Sequence, residues 1–391
     1  MSTRTTADRI MALYGVVAVG AFDRLTIAPL LAPIAHGLHA TLPAATLAAT
    51  AYLACYGLAQ AGHGWLSDRI GRRRALRAAL AMMAVASAAS ALAPAIGVFI
   101  AGRAVAGAAS GGLVPGALVL LADHPGPRTA RRQAALISAL GAGTGLAAVA
   151  GLAGGAGAWR IVFAVTAVAC AALIGPVPRG NPGAPGRSTR PRVTEVARRP
   201  EVRFLALAAV PEGAAVFGFI LFFPPALAHL GQSAPIAALS TAAIGAGMLL
   251  GGMAVRPLTG KLSDRTLIAA GAALLAAGYA VTTAPNLPTL LTAAALVGIG
   301  QSALHATLQR WATQAAPDAR GTSTALFATG TFVGAGAAAL LGAILPSQFT
   351  ALFITAAACA AVSGLIAARY RRPADGTTTL PPGSGTSSTI D

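Results

Sequence analysis

The fold class predicted by the sequence is an all-α integral membrane protein, with twelve transmembrane helices in two parallel-related six-helix bundles. Its composition, its regular series of apolar segments and a duplicated charged motif predict this class. Of the 391 residues, 55% are hydrophobic and 10% are charged, whereas soluble domains carry about 25% charged residues. So few charged side chains are a poor match for a water-facing surface, which favours a lipid bilayer as the surroundings.

Apolar segments of transmembrane length recur along nearly the whole chain. About 20 apolar residues cross a bilayer as a helix, and twelve segments approach or exceed that length. Their approximate bounds are 11–35, 43–63, 75–94, 96–121, 134–157, 160–177, 203–228, 235–257, 266–284, 288–312, 321–345 and 349–369. The segments are rich in Ala and contain most of the 46 glycines. Small residues allow close contact between membrane helices, so a tightly packed bundle is expected.

The positive charges indicate the orientation in the membrane. Arg residues cluster in alternate loops, after the second, fourth, sixth, eighth, tenth and twelfth segments. Apart from Arg160, the loops between those clusters contain no Lys or Arg. Cytoplasmic loops carry such an excess of positive charge, so both termini are expected in the cytoplasm. The net charge of +17 then reflects orientation, and no nucleic-acid partner is expected.

The middle and the end of the chain differ from the apolar segments. Residues 178–202 are rich in Pro, Gly and Arg and are interpreted as a cytoplasmic linker. The linker joins an N-terminal bundle, residues 1–177, to a C-terminal bundle, residues 203–372. Residues 373–391 are a polar tail that is expected to be disordered. Lys261 is the only lysine, which together with the Ala and Gly content indicates a bacterial genome and the bacterial cytoplasmic membrane.

A six-residue charged motif occurs almost twice, once in each half. Residues 64–69 read GWLSDR and residues 260–265 read GKLSDR. Six predicted helices separate the copies, and an even number of crossings returns the chain to the same face of the membrane. Both copies are therefore expected at the cytoplasmic face. Parallel repeats of six helices, related by an axis along the membrane normal, describe one transporter architecture in particular.

The first copy resembles the loop 2–3 signature of the major facilitator superfamily. Its matching residues are Gly64, Leu66, Asp68, Arg69, Gly71, Arg72, Arg73 and Arg74. The second copy keeps Gly260, Asp264 and Arg265 but lacks the arginine run. Arg103, near the start of the fourth segment, resembles the arginine of the family's fourth helix. The resemblance covers residues 10 to 370 and implies the twelve-helix fold of an alternating-access transporter.

In that family the signature is a conformational latch, and the resemblance implies the same role here. The expected members of the latch are Gly64, Asp68, Arg69, Gly71, Arg72 and Asp123. Asp68 and Arg72 are four residues apart and share a face if the third helix begins there. Asp123, at the cytoplasmic end of the fourth segment, is the expected partner of Arg72. Anchoring of the loop on anionic lipid is the alternative. The second copy is expected to contribute less.

Two acidic residues lie within predicted segments and away from their ends. Asp23 is near the middle of the first segment, and Glu212 lies in the seventh. A carboxylate is costly inside a membrane, so both are candidate proton or substrate sites. Asp23 could instead form a static ion pair with Arg24 or Arg103, which are themselves candidate site residues. Glu212 follows Pro211, so a polar kink is the alternative explanation there.

Polar side chains within two other segments are candidate ligand contacts. Gln301 and His305 are four residues apart and share a face of the tenth segment, as Tyr52 and Tyr56 do on the second. Polar groups that face lipid lack hydrogen-bond partners, so these faces should point inward. Hydrogen bonding between helices is the alternative role for them.

Two aromatic residues are assigned to packing or to the membrane surface. Phe217 could line an apolar cavity or face lipid and neighbouring helices, and the second role is favoured. Trp311 lies at the end of the tenth segment and is interpreted as an interfacial anchor.

The expected function is secondary active transport. The sequence carries no P-loop, zinc-protease or nucleophile-elbow motif, so no enzyme activity, cofactor or metal site is expected. Resemblance to bacterial twelve-helix efflux members implies that a monomer in contact with membrane lipid exports a small organic molecule in exchange for protons. The fifth segment lacks the Gly-Pro pattern of antiporters, so an uptake permease or facilitator is an alternative. A non-transporting sensor is a third possibility from another class.

Overall fold

Helices dominate the described chain. A computed structural model describes residues 2–122, 139, 141–147, 149–151, 158–178, 191–258 and 261–369, without the side chains of residues 2–9, 61, 64, 65 and 68. No β-strand occurs among these residues. The predicted all-α class is confirmed. The predicted tail, 373–391, lies outside the described residues.

The N-terminal half contains six described helices. They are α1 (Ser2–Gly37), α2 (Leu42–Ile70), α3 (Arg72–Ala91), α4 (Ile96–Ser110), α5 (Leu113–Ala122) and α6 (Ala158–Ile174). Helices α4 and α5 together form the fourth predicted segment, and α6 forms the sixth. The fifth predicted segment is described only in part, and its described residues are helical.

The C-terminal half contains eight described helices. They are α7 (Val193–Arg198), α8 (Pro200–Gly213), α9 (Phe223–His229), α10 (Ala234–Leu258), α11 (Asp264–Val281), α12 (Leu287–Gln314), α13 (Arg320–Ile344) and α14 (Phe349–Arg369). A π-helical turn, Ala214–Gly218, and a 3₁₀ turn, Phe219–Phe222, connect α8 to α9. These four pieces form one membrane-crossing unit, which corresponds to the seventh predicted segment.

Nine helical units among the described residues are long and apolar enough to cross a membrane. The remaining three predicted segments correspond to α3, to the shorter apolar helix α6 and to the partly described fifth segment. The total of twelve crossings therefore stays a prediction.

Short capping motifs fix where several helices begin. At the start of α12, the Asn286 side chain accepts a hydrogen bond from the Thr289 N–H at 2.9 Å. The Thr289 hydroxyl in turn accepts from the Asn286 N–H at 3.0 Å. This reciprocal arrangement satisfies backbone donors that the first helical turn leaves free. Pro288 lies in the same turn, where a missing N–H costs nothing.

The end of the predicted linker, residues 178–202, is folded onto the C-terminal half. Val196 of α7 and Val202 of α8 are buried against the loop between α12 and α13. Arg199 holds Asp318 of that loop through two hydrogen bonds of 2.5 and 2.6 Å. These bonds keep the pKa of the Asp318 carboxyl below its usual value. The chain therefore becomes part of the C-terminal half several residues earlier than the sequence predicts.

The two halves meet along α2 and α13. Near the middle of both helices, the Thr329 hydroxyl donates to the Gly57 carbonyl oxygen at 3.1 Å. Toward the predicted external face, the start of α2 and the end of α13 line one pocket. The middle of α2 and of α13 therefore lies at the interface between the halves.

Candidate functional site

Asp23 and Arg103 form a fully buried ion pair in the N-terminal half. Nη1 of Arg103, on α4, lies 2.8 Å from Oδ1 of Asp23, on α1, and both side chains are 0% exposed. Ser90 and Ser87 of α3 accept further hydrogen bonds from the guanidinium, at 3.2 and 3.4 Å. Of the two roles predicted for Asp23, this geometry favours the static ion pair, with Arg103 rather than Arg24 as its partner.

Aromatic rings and close helix packing enclose the Arg103 guanidinium. Its Cζ lies 4.6 Å from the ring centre of Phe163 and 5.5 Å from that of Tyr52, distances typical of cation–π contacts. Helix α4 approaches α2 so closely that a Cβ at Gly107 would collide with the backbone carbonyl oxygen of Tyr52. Tyr52 therefore supports the buried pair, and its own side chain is 1% exposed.

Glu212 and His305 form the equivalent contact in the C-terminal half. Nδ1 of His305, on α12, lies 2.7 Å from Oε1 of Glu212, on α8. This distance is within the range of a hydrogen bond. The Glu212 side chain is 0% exposed, whereas that of His305 is 24% exposed. The pair thus joins a buried carboxylate to an imidazole that reaches a more open space.

Thr331 of α13 contacts the second oxygen of Glu212. Its Oγ1 lies 3.2 Å from Oε2 of Glu212 and 3.1 Å from the carbonyl oxygen of Phe327. The single hydroxyl hydrogen can serve only one acceptor at a time. Thr331 can therefore donate to an ionised Glu212, or turn to Phe327 and accept a hydrogen bond from a protonated Glu212.

Local backbone features place Glu212 beside α13. A Cβ at Gly213 would collide with the backbone of Thr331, so the absence of a side chain lets α8 and α13 touch at this level. Pro211 removes one backbone donor from α8, and the π-helical turn begins at Ala214. Such turns interrupt the regular hydrogen-bond ladder and are frequent at functional sites. The irregular helical turn and the predicted polar site thus lie next to each other in the chain.

The two buried pairs occupy equivalent places in the two halves. In each half the acid is on the first membrane-crossing unit and its basic partner is on the fourth. The partner of Asp23 is an arginine, which stays protonated at any physiological pH. The partner of Glu212 is a histidine, a residue type that commonly serves as a proton donor and acceptor. The two pairs therefore differ in the chemistry of their basic partner.

Arg24 of α1 lies at the interface between the halves, among three aromatic rings. Its Cζ is 5.7 Å from the ring centre of Tyr56, 5.5 Å from Phe217 and 5.6 Å from Phe332. Phe217 and Phe332 belong to the C-terminal half and stack with ring centres 5.2 Å apart, so Phe217 packs against neighbouring helices. The Phe217 ring also contacts His305 edge-on, with ring centres 5.1 Å apart. Phe217 therefore bridges Arg24 and the Glu212–His305 pair.

The other predicted contact residues lie close to this interface. Tyr56 packs against Phe332, with ring centres 4.2 Å apart. Gln301, one turn before His305 on α12, is 3% exposed. Its Oε1 has no hydrogen-bond partner within the described part of the chain. The inward orientation predicted for these polar faces therefore agrees with the burial of Tyr56 and Gln301.

A sequence model of the Major Facilitator Superfamily matches residues 13–269 and, in a second match, residues 205–389. The two matches together cover almost the entire chain. The chain belongs to the major facilitator superfamily. It is a membrane transporter and not an enzyme, as predicted.

Curated relatives of this major facilitator transporter align over part of its length. A triacylglyceride transporter of Mycolicibacterium hassiacum is 40% identical over 102 residues, which are 26% of this chain and 18% of that protein. A triacylglyceride transporter of Mycobacteroides abscessus is 32% identical over 156 residues, 38% of this chain and 30% of that protein. The chain thus spans less than a third of the length of these relatives.

Solved structures share the fold of this transporter. A D-xylose–proton symporter superposes with a TM-score of 0.73 at 15% identity and covers 93% of this chain and 96% of its own. A bacterial homologue of the human lysosomal transporter Spinster, solved in an inward-facing and unoccupied conformation, gives a TM-score of 0.66 at 17% identity. The match covers 94% of this chain and 95% of that protein. At such identities the likeness shows the fold alone, and it confirms the predicted bundle class.

The first motif copy ends α2 instead of beginning α3. Helix α2 continues through Asp68 to Ile70, and a single residue, Gly71, connects it to Arg72 at the start of α3. Gly71 has φ +90°, a conformation that favours glycine. The premise that Asp68 and Arg72 share one helical face is therefore wrong, because they lie on different helices. The Asp68 side chain and Asp123 lie outside the described residues, so the latch itself stays a prediction.

The second motif copy folds differently from the first. Ser263 caps α11 by accepting from the Thr266 N–H at 3.1 Å, and Asp264 is the first residue of that helix. Asp264 accepts hydrogen bonds from Nη2 of Arg310 at 2.5 Å and from Nε1 of Trp311 at 2.7 Å. Trp311 is 4% exposed, so its assignment as an interfacial anchor is wrong. Gly260 lies outside the described residues, and Arg265 follows Asp264 in α11.

We expect Asp264→Asn to weaken the contact between α11 and α12. The ion pair is partly exposed and is worth about 1 kcal/mol or less, so unfolding should change little. Transport should fall by up to about fivefold, since 1 kcal/mol shifts a conformational equilibrium by that factor. In a variant that keeps Trp311 as its only tryptophan, the fluorescence emission should move to longer wavelength. Asp318→Asn, in the next loop, is the matched control. Unchanged emission and unchanged transport in Asp264→Asn would contradict the assignment.

Sequence reasoning selects neither Thr331 nor Arg310, and it does not predict that Phe217 bridges two sites. Thr331 is one of many threonines in the apolar segments. Phe217 is one of several phenylalanines in its segment. Their roles depend on contacts between distant helices. Arg310 alone carried a usable signal, because it is a positive charge expected at the same face of the membrane as Asp264.

Proposed function

We propose that this major facilitator transporter exports a small organic molecule from the bacterial cytoplasm by alternating access, coupled to protons. Both termini lie in the cytoplasm in this proposal, and the protein acts as a monomer in the cytoplasmic membrane. Exchange for protons is the coupling that the resemblance to efflux members implies. The alternation of the two halves is controlled mainly by the latch of Gly64, Asp68, Arg69, Gly71, Arg72 and Asp123.

The single observation that carries proton coupling is the contrast between the two buried pairs. Asp23 is neutralised by Arg103, whose charge is permanent. Glu212 shares its hydrogen bond with His305, and histidine is a residue type that commonly serves as a proton donor and acceptor. An ionisable group inside a membrane is costly and marks a functional site by default. We therefore assign the coupling proton to Glu212 and His305 rather than to Asp23.

The position of the C-terminal pair supports a link between proton binding and movement. Glu212 contacts Thr331 of α13, and the next residue, Phe332, packs against Tyr56 of α2. Helices α2 and α13 are the contact between the halves described above. A change in the proton occupancy of Glu212 therefore acts one residue away from the surface along which the halves must rearrange.

The test combines a growth screen with a proton measurement. An overexpressing strain is grown on a panel of toxic small molecules, including long-chain glycerides because of the names of the mycobacterial relatives. Each compound that meets resistance is then added to energised everted vesicles carrying a pH-sensitive dye. We expect such compounds to dissipate the pH gradient in vesicles with the protein and not in vesicles without it. Hypersensitivity of the overexpressing strain to a compound would indicate uptake instead of export. No response to any compound would favour a non-transporting sensor.

A second candidate function, uptake by co-transport with a proton, has one observation in its favour. Arg24 places a positive charge close to the Glu212–His305 pair. A negatively charged solute at Arg24 and a proton on that pair would attract each other, which favours their movement in the same direction. In right-side-out vesicles this candidate predicts that the solute alkalinises the medium as it enters, whereas exchange predicts acidification.

A further inference from the structure

We propose that Arg24 binds the negatively charged group of the transported molecule, so that the substrates are amphipathic organic anions. The proposal rests on the proposed transport function only in placing the ligand at the interface between the halves. It concerns the charge of the ligand and holds for either direction of transport.

Arg24 differs from the other charged side chains near the middle of the bundle, because it has no carboxylate partner in the described part of the chain. Asp23 pairs with Arg103, and Glu212 pairs with His305. The Nε of Arg24 is buried without a hydrogen-bond partner among the described residues. A guanidinium without a paired carboxylate therefore lies at mid-membrane depth, near the centre of the Ile10–Gly37 span.

A guanidinium without a paired carboxylate at this depth points to an anionic partner. Placing such a charge in a membrane is costly, and arginines there face the bundle interior or a water-filled space. Arg24 and Phe217 are half-buried, and the rings around Arg24 come from both halves. The space that Arg24 reaches is therefore the one between the halves. A carboxylate can accept two parallel hydrogen bonds from a guanidinium. The surrounding aromatic rings offer no such acceptors.

The rings around Arg24 define the rest of the ligand. Tyr56, Phe217 and Phe332 offer apolar faces within 6 Å of the charge. Cation–π contacts with them keep the guanidinium in place before a ligand arrives. A ligand with a carboxylate at one end and an aromatic or aliphatic body would meet both features at once. The same positive charge repels organic cations, so the site discriminates against the amines that many exporters accept.

The test compares ligands that differ only in charge. The protein is placed in nanodiscs of zwitterionic phosphatidylcholine, and binding is measured by equilibrium dialysis against empty nanodiscs. The probes are 4-phenylbutyrate with its amide and its amine, and decanoate with its amide and its amine. We expect each carboxylate to bind about tenfold more tightly than its amide, because a charge-assisted pair is about twice as strong as a neutral hydrogen bond. The amines should bind most weakly.

Variants assign the preference to Arg24. In Arg24→Gln the carboxylate and the amide should bind equally, whereas Arg24→Lys should keep part of the preference because it keeps the charge. Arg160→Gln is the matched control, since Arg160 also lies against an aromatic ring, Trp159, but bonds the carbonyl oxygen of Ala91. It should leave the preference intact. If Arg24→Gln fails to fold, the proposal is still tested by the preference of the wild type for carboxylates over amides and by the partial loss of that preference in Arg24→Lys.

Three results would overturn the proposal. They are equal binding of carboxylate and amide in both wild-type pairs, tighter binding of an amine, and a preference that survives in Arg24→Gln. Since dialysis needs no gradient, the outcome is separate from proton coupling. Anion preference without proton-linked transport would reject the coupling alone. Proton-linked transport without anion preference would reject the role of Arg24 alone.

Discussion

Glu212→Gln is expected to abolish proton-driven transport and to leave exchange of substrate for substrate intact. Glutamine has the shape of a protonated glutamate and keeps an acceptor for Thr331, but it cannot release a proton. Transport driven by a pH gradient in proteoliposomes should fall to the rate of liposomes without protein. Counterflow of a compound found in the growth screen should stay within about fivefold of wild type, which corresponds to about 1 kcal/mol.

Glu201→Gln provides the matched control for this prediction. Glu201 lies in the first turn of the same helix, α8, and is only partly buried. Its substitution should leave both measurements unchanged. Proton-driven transport that persists in Glu212→Gln would reject the assignment of the coupling proton. Loss of counterflow as well would show that Glu212 serves substrate binding or folding.

Arg103→Met is expected to cause the largest loss of stability among the variants considered. It leaves the carboxylate of Asp23 buried without its counter-charge, and breaking a buried pair on one side costs about 3–5 kcal/mol. For a chain of this size, the melting temperature should fall by on the order of 10 °C. The measurement is the melting temperature in detergent, followed by intrinsic fluorescence.

A double variant separates pairing from simple damage. Asp23→Asn in the Arg103→Met background removes the unpaired charge, so it should restore part of the lost melting temperature. The single variant Asp23→Asn should destabilise as well, because Arg103 then lacks its partner. If Asp23→Asn keeps the wild-type melting temperature and loses proton coupling, the N-terminal pair would be the proton site and our assignment would be reversed.

Composition and the series of apolar segments were sufficient to predict the helical bundle. The duplicated motif was sufficient to predict that the bundle has two related halves. Apolar runs and alternating positive loops are local properties, so they can be read from one sequence. The same is true of Asp23 and Glu212, because a carboxylate within an apolar segment is conspicuous. His305 could be selected as a candidate on the same grounds.

The pairing of these residues could not be predicted from the sequence. Glu212 and His305 are separated by 93 positions and Asp23 and Arg103 by 80, and only the packing of α1 with α4 and of α8 with α12 brings them together. Arg24 and Arg103 were equally plausible partners for Asp23 before the rotation of α1 was known. The geometry at Gly71 was missed for a related reason, since a one-residue turn leaves no loop-like stretch in the sequence.

The equivalent placement of the two buried pairs has a consequence for how the chain evolved. If both halves descend from one duplicated ancestor, they inherited the same acid–base position and then specialised. One copy became a permanent structural support, and the other kept a partner that responds to pH. A single exchange at the basic position of one half, arginine for histidine or the reverse, would then be enough to add proton sensitivity to that half or to remove it. Two such exchanges would move it from one half to the other without any change in the helical scaffold.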